Sequence, residues 1–372
     1  MAIKNNISLS HNTLNIVGFI AIVFILYVLK PIIMPLLLAM ILAVMIFPVQ
    51  KIFEKKLRCS RLLATLISIF IVIVVTSSLV LVIYLQLNSI SHNGENYTAK
   101  ISELYYKAIN YFEETLNISK SNSLTNKDLK IEDLVKGNVE KIGAFISQSG
   151  SLFSNLFLIP IYLFFFLYYR RFLRVFVYKL FKNKPKSFLN FMIKKIYNVQ
   201  RSYLIGLIKV ILIVGVLNTT GLLILGIENA VFFGFFAALL LLIPYVGIII
   251  GSLIPAVVAL VTKDSAWYAF GVIAIFGFIQ FVEGNFITPK ITGSKVNMNA
   301  FAAIVSLIIF SMLWGISGMI VALPIMASLK IIFDYTPGYQ AYGFLLGEPV
   351  DQHLQSTART RLKRWKEIRK KQ

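Results

Sequence analysis

The sequence predicts an all-α fold, that of a polytopic helical membrane protein with about eight hydrophobic segments. Hydrophobic residues make up 58% of the 372 residues, and the mean hydropathy is +0.78. Apolar runs recur along the chain, and several reach the length of about 20 residues that a helix needs to cross a bilayer. Lysine and arginine gather between these runs. The number of runs excludes a soluble enzyme and a single-span anchor.

Residues 1–87 are predicted to form three N-terminal transmembrane helices. No signal-peptide cleavage site follows the first apolar run, so we expect an uncleaved start. Residues 14–29 and 32–49 are expected to form a tight hairpin at Lys30-Pro31, because proline disfavours helix in the residue before it. A basic loop then leads into a third span at residues 62–87.

Residues 88–150 differ from the rest of the chain, with seven lysines and eight acidic residues. Apolar side chains recur there at helical spacing, which predicts two amphipathic helices in an extracytoplasmic segment. Their apolar faces require a cover. A solvated hairpin with its own small core is the favoured interpretation, and contact with a partner or neighbouring subunit is the alternative.

Residues 151–209 are predicted to hold one span and a basic cytoplasmic helix. Between residues 170 and 209 there are eleven basic residues and no acidic one. Apolar positions from Phe188 to Tyr203 predict an amphipathic helix against an anionic leaflet. A positive-inside topology signal is favoured over lipid sensing, and no motif supports nucleic-acid binding despite the net charge of +21. The same rule predicts cytoplasmic N- and C-termini.

Residues 210–335 contain an outward span at 211–225 and then apolar pieces separated by polar, glycine and proline positions. Several pieces are short for a bilayer of about 30 Å. Two arrangements return the basic tail, residues 336–372, to the cytoplasm. Either five pieces cross, or two re-entrant hairpins at 230–262 and 298–333 flank one full span at 266–287. At least one re-entrant pair is favoured, since irregular backbone at membrane depth survives where it lines a cavity.

Glu283 is the candidate for ion or substrate chemistry, because an acidic side chain inside a span is costly unless it faces protein or water. Gln280, Asn285 and the carbonyls freed at Pro289 are expected to serve as neutral ligands. The alternative is a structural pair with Lys290 or Lys295. The sequence lacks a phosphate-binding loop and any metal-ligand pattern, and its histidines lie outside the spans. We therefore expect no catalytic residue, metal or cofactor.

Further candidate positions lie in the same half of the chain. Small and hydroxyl residues in a span most often pack helices together, and lining a pathway is the alternative. Breaks between helices are turns or mark a substrate pathway. The polar and turn candidates for the pathway are Asn218, Thr219, Pro244, Tyr245 and Gly247. The predicted bend and close-packing positions are Gly251, Pro255, Gly315, Gly318 and Pro324.

Three short motifs resemble one family. They are Pro244-Tyr245-Val246-Gly247 with Gly251 and Pro255, Glu283-Gly284-Asn285 with Pro289-Lys290 and Gly293, and Gly315-Ile316-Ser317-Gly318 with Pro324. This pattern is similar to that of the AI-2E family, the PerM-like bacterial membrane proteins.

Some members of that family are assigned to export of the signal autoinducer-2 and others to sodium/proton antiport. The resemblance implies a secondary transporter of a small polar molecule in the bacterial cytoplasmic membrane, and a homo-oligomer. Exchange of Na⁺ or Li⁺ for H⁺ is the second hypothesis, and a non-transport membrane scaffold is the third.

Overall fold

The computed structural model describes residues 11–92, 150–243, 246–293 and 298–348. Within these ranges the regular structure is helical, and the β-type pairing is an isolated bridge between Met298 and Gly347. The predicted all-α class is confirmed. Most of the predicted extracytoplasmic segment, Pro244, Tyr245 and Lys295, and the tail beyond residue 348 lie outside the described residues.

Twelve α-helices are present in the described ranges, five of them in segments long and apolar enough to cross a membrane. These five segments are Lys30–Lys55, Arg61–Gln86, Lys186–Ile224, Trp267–Ile291 and Ile316–Tyr335, and shorter apolar helices accompany them. The α-helices are α1 His11–Val28, α2 Lys30–Lys55, α3 Arg61–His92, α4 Gly150–Tyr168, α5 Arg170–Leu180, α6 Lys186–Ile224, α7 Ala230–Leu240, α8 Val246–Thr262, α9 Trp267–Val282, α10 Ala300–Trp314, α11 Ile316–Tyr335 and α12 Gln340–Leu346.

The chain divides into two compact units. The first comprises Met1–Leu37, Phe172–Ile205 and Thr292–Gln372, and the second comprises Leu38–Arg171 and Gly206–Ile291. Both units therefore combine segments that are distant in the sequence.

The core of the second unit forms where the C-terminal half of α6 meets α7, α8 and α9. Leu222, Phe233, Ala259 and Val272 are almost completely buried there. Helices α7 and α8 pack closely because glycine leaves room for the opposite helix. A Cβ atom at Gly251 would lie 2.8 Å from the Cβ of Ala237. The predicted break between these two helices is confirmed, whereas the re-entrant geometry stays a prediction.

In the first unit, α10 and α11 form the second predicted broken pair. Gly315 separates them with a φ of 69°, a conformation that glycine adopts without strain. A Cβ at Gly318 would lie 2.0 Å from the carbonyl oxygen of Phe310, so only glycine fits this crossing. Pro255 in α8 and Pro324 in α11 lie inside helices and are buried.

Two predicted helix boundaries are wrong. The expected hairpin between α1 and α2 is absent, because only Leu29 separates them and helical hydrogen bonding continues across it. The Leu29 N–H donates to the Ile25 carbonyl, and the Ile33 N–H donates to the Leu29 carbonyl, both at 2.9 Å. Pro31 lies in the first turn of α2, where a missing N–H costs little.

The predicted basic surface helix and the following span are instead one continuous helix, the 39-residue α6. Its N-terminal half does not lie free on a leaflet, since Leu189 and Met192 are buried. Gln200 also donates a 2.7 Å hydrogen bond to Ser328 of α11. The apolar stripe therefore packs within the first unit.

A polar network that the sequence did not predict joins α2, α3 and the start of α5 in the second unit. Arg170 donates to Gln50 at 3.0 Å and forms a 2.5 Å ion pair with Glu54. Gln50 in turn donates to Thr65 at 2.7 Å, and both of these side chains are fully buried. This network satisfies polar groups that would otherwise be costly inside an apolar helix bundle.

Candidate functional site

Glu283 is buried, with 8% of its surface exposed, and its carboxylate is bound by two neutral donors. The Nε2 atom of Gln280 donates a 2.6 Å hydrogen bond to Oε2. The hydroxyl of Thr288 donates to Oε1. Gln280 lies three residues before Glu283, a spacing that places both side chains on one helix face.

The contact between Glu283 and Thr288 depends on an unusual backbone. Residues Glu283–Ile287 and Pro289–Gly293 form two π-helical segments directly after α9. Side chains five residues apart point about 140° away from each other in an α-helix. The wider π turn, closed by the bond from the Thr288 N–H to the Glu283 carbonyl, brings them together. Such single π turns are rare and occur often at functional sites.

The span predicted at 266–287 therefore continues as π-helix to Gly293 and does not stop before Pro289. Of the predicted ligands of Glu283, only some lie close to its carboxylate. Asn285 is exposed, and its side chain donates to the Phe281 carbonyl at 2.8 Å. Pro289 is exposed as well. Among the candidates on this helix, the structure brings only Gln280 to Glu283.

The pairing with lysine that was the alternative is not observed in the described part of the chain. Lys290 is exposed and forms no ion pair with Glu283. The carboxylate thus has hydrogen-bond donors but no bonded positive charge among the described residues. A buried acidic group without a paired charge is costly, so this carboxylate can attract a cation.

A small cavity with two amide residues in its wall lies next to Gln280 in the second unit. Its volume is about 20 Å³, close to the space that one water molecule needs. Four helices form its wall, with Asn218 from α6, Gly247 from α8 and Gln280 from α9 as the predicted candidates among its residues. The remaining wall residues are Val214, Ala237, Leu241, Ile248, Phe276 and Ile279.

Asn218 is the buried polar residue in this wall, with only 4% of its surface exposed. No hydrogen-bond partner for its amide is present among the described residues. Gln280 is the second amide, and its Nε2 atom is already bonded to Glu283. Gln280 therefore connects the cavity to the carboxylate.

Thr219 does not line this cavity, although it is the neighbour of Asn218. Its side chain faces α7, where a Cβ atom at Gly234 would lie 2.3 Å from the Thr219 hydroxyl oxygen. That hydroxyl is buried and has no partner within the described structure. The helix-packing interpretation fits this residue.

Sequence reasoning missed Thr288 and Gly234. No α-helical spacing links Thr288 to Glu283, so the π turn left no readable signal. Gly234 lies in a short apolar run. Thr219 packs against it only because α6 and α7 cross at this point. The repeated small residues of these helices were the available hint.

Comparison with known proteins identifies the family. The model of the AI-2E family transporter matches residues 16–338. "Putative transport protein YueF" of Bacillus subtilis (strain 168) is 28% identical over 320 residues, which cover 80% of this chain and 82% of that protein.

Two further relatives match shorter stretches. "AI-2 transport protein TqsA" of Escherichia coli (strain K12) is 27% identical over 146 residues, 39% of this chain and 42% of that protein. "Putative transport protein YrrI" of Bacillus subtilis (strain 168) is 32% identical over 130 residues, 35% of this chain and 36% of that protein. Because the family model covers most of the residues, this chain is a multi-pass membrane protein that belongs to the AI-2E family of transporters.

Proposed function

We propose that the protein is a secondary transporter that exports a small polar molecule, resembling autoinducer-2, across the bacterial cytoplasmic membrane. The name of its relative TqsA supports this substrate class. Both termini face the cytoplasm in this proposal, as the basic loops indicate. The chain has no phosphate-binding loop, so an ion or solute gradient drives the step.

The observation that supports the proposal is the double role of Gln280. Its side chain forms part of the polar cavity wall and also donates to the buried carboxylate of Glu283. A polar solute that replaces water in the cavity would meet the amides of Asn218 and Gln280. A change at Gln280 would then alter the hydrogen bonding of Glu283.

The size of the cavity defines what must move. A volume of about 20 Å³ holds one water molecule and excludes a solute of several heavy atoms. Passage therefore requires the α7–α8 pair to separate from α6 and α9. We place the bend of this pair at the end of α7, after Leu240, and include Pro244 and Tyr245 in the proposed pathway.

Exchange of a monovalent cation for a proton is the second candidate function. Among the described residues, no lysine or arginine forms an ion pair with Glu283. This favours the exchange, because an unpaired carboxylate can bind the monovalent cation and the proton in turn. In this case Glu283, Gln280 and Asn218 form the ion site and no organic solute is moved.

Transport assays on purified protein in lipid vesicles test both candidates. One measures efflux of autoinducer-2 from loaded vesicles, and the other measures dye-reported proton flux when Na⁺ is added. We expect solute efflux that Glu283→Gln lowers at least tenfold. The control is Glu228→Gln, which removes an exposed carboxylate between α6 and α7. Proton flux without solute efflux would favour antiport, and wild-type efflux in Glu283→Gln would contradict the assigned site.

A further inference from the structure

Helix α5, Arg170–Leu180, has no buried residue, although six of its 11 side chains are phenylalanine, leucine or valine. Leu173, Phe176 and Leu180 are 37%, 54% and 61% exposed. They follow one another at intervals of three and four residues, so they lie on one face of the helix. These three side chains form an apolar strip that is partly to mostly exposed in the described structure.

The opposite face of α5 carries basic side chains beside Val175 and Tyr178, and the Tyr178 hydroxyl donates to Asn190 of α6. Arg171 and Arg174 are exposed there, and Lys179 lies at the border between the two faces. No acidic residue occurs between residues 170 and 209, so no nearby carboxylate in the sequence offsets these charges. Arg170 is different, because its guanidinium binds Gln50 and Glu54. Three basic side chains therefore remain for an external partner.

The position of α5 in the sequence indicates which partner fits. It begins at Arg170, directly after the apolar helix α4 ends at Tyr168, and aromatic residues such as Tyr169 are common at membrane interfaces. With 11 residues it is about 16 Å long, too short to cross a bilayer. A short helix with one apolar and one basic face lies in the plane of an anionic membrane surface.

We propose that α5 is a lipid-binding helix that inserts Leu173, Phe176 and Leu180 into the cytoplasmic leaflet and binds anionic phospholipid headgroups through Arg171, Arg174 and Lys179. A second protein copy fits this face less well, because the surface would bring like charges together. The role that the sequence suggested for the N-terminal half of α6 thus belongs to α5, since α6 is packed within the first unit.

Site-directed labelling of the full-length protein tests this proposal. The single cysteine, Cys59, is replaced by serine, and a polarity-sensitive fluorophore is attached at Phe176→Cys on the apolar face or at Arg171→Cys on the basic face. The protein is reconstituted in vesicles of phosphatidylcholine alone or with an increasing fraction of phosphatidylglycerol. Nitroxide-labelled lipid serves as the quencher.

We expect the label at residue 176 to shift to the blue and to be quenched by nitroxide lipid, more strongly as the anionic fraction rises. The label at residue 171 should remain accessible to a water-soluble quencher. Each removed positive charge should lower the ratio of membrane-inserted to free α5 by about fivefold. The triple variant Arg171→Gln, Arg174→Gln, Lys179→Gln, carrying the label at residue 176, should therefore lose the dependence on anionic lipid.

The matched control removes three exposed charges from the end of α2 with Lys51→Gln, Lys55→Gln and Lys56→Gln. It should retain the blue shift and its dependence on phosphatidylglycerol. A residue-176 label that is exposed to water in both lipids would overturn the proposal. So would a label that is shielded from water but not quenched by nitroxide lipid, because that result indicates a protein cover.

Discussion

Gln280 donates a 2.6 Å hydrogen bond to the buried carboxylate of Glu283, and Gln280 also lines a small cavity together with Asn218. Gln280 and Glu283 lie one helical turn apart. Together they connect a cavity large enough for about one water molecule with an acidic side chain inside an apolar helix bundle. The link predicts that the stability of this region and its transport activity both depend on the amide at position 280.

Replacing Gln280 with leucine should destabilise the protein by about 1–3 kcal/mol, because one oxygen of a buried carboxylate loses its donor. Transport should fall with it. Thermal unfolding in detergent and vesicle transport measure the two effects. Asn285→Leu, in the π-helical segment that follows α9, is the control, since the Asn285 side chain is exposed and bonds only the Phe281 carbonyl among the described residues. Equal unfolding midpoints for the two variants would contradict the assigned role of Gln280.

Thr219 should tolerate the loss of its hydroxyl. Its oxygen is buried without a partner in the described structure, so Thr219→Val removes an unsatisfied polar atom and should raise the stability by about 1 kcal/mol. Transport should be retained, because the side chain packs against α7 and does not line the cavity.

The neighbouring Thr220→Val provides the comparison for Thr219→Val. Thr220 is exposed and already bonds the Val216 carbonyl at 2.8 Å, so its stability change should be smaller. Loss of transport in a folded Thr219→Val protein would show that the hydroxyl lines the pathway after all.

The crossing of α6 and α7 should not accept a side chain at Gly234. An added Cβ would lie 2.5 Å from the backbone nitrogen of Thr219, so Gly234→Ala must push the two helices apart. We expect a loss of about 1–3 kcal/mol in unfolding free energy. Thermal denaturation followed by tryptophan fluorescence measures it.

Gly277→Ala is the matched control for the crossing. Among the described residues, no atom outside the backbone of its own helix lies within 4 Å of a Cβ added at Gly277. Alanine also restricts the unfolded chain more than glycine does, so this variant should gain about 0.4–1 kcal/mol. A stable Gly234→Ala protein would mean that the helices do not approach as closely as the structure places them.

Local patterns predicted the fold class and the breaks between α7 and α8 and between α10 and α11, because apolar runs and glycine or proline positions act over a few residues. The approach of Gln280 to Glu283 follows from a three-residue spacing on one helix face. The contact of Thr288 with Glu283 does not, since it requires a change from α to π geometry that no periodicity announces.

Long-range partners were out of reach for a different reason. Arg170 and Gln50 are 120 residues apart, and only the packing of the second unit brings them together. The continuous α6 shows the same limit. A basic amphipathic stretch and an apolar span differ in composition, but the neighbours that bury Leu189 and Met192 determine that they form one helix.

Arg170 should not be replaceable by lysine. Its guanidinium donates through two nitrogens, one to Gln50 and one to Glu54, and lies 5.0 Å from the ring centre of Phe47. A lysine ammonium cannot reproduce this planar fork. Arg170→Lys should therefore lower the unfolding free energy by about 1–3 kcal/mol, measured as a lower thermal midpoint in detergent. Arg171→Lys, at an exposed position, should leave the midpoint unchanged. If Arg170→Lys and Arg171→Lys unfold at the same temperature, the contacts of Arg170 with Gln50 and Glu54 do not stabilise the protein.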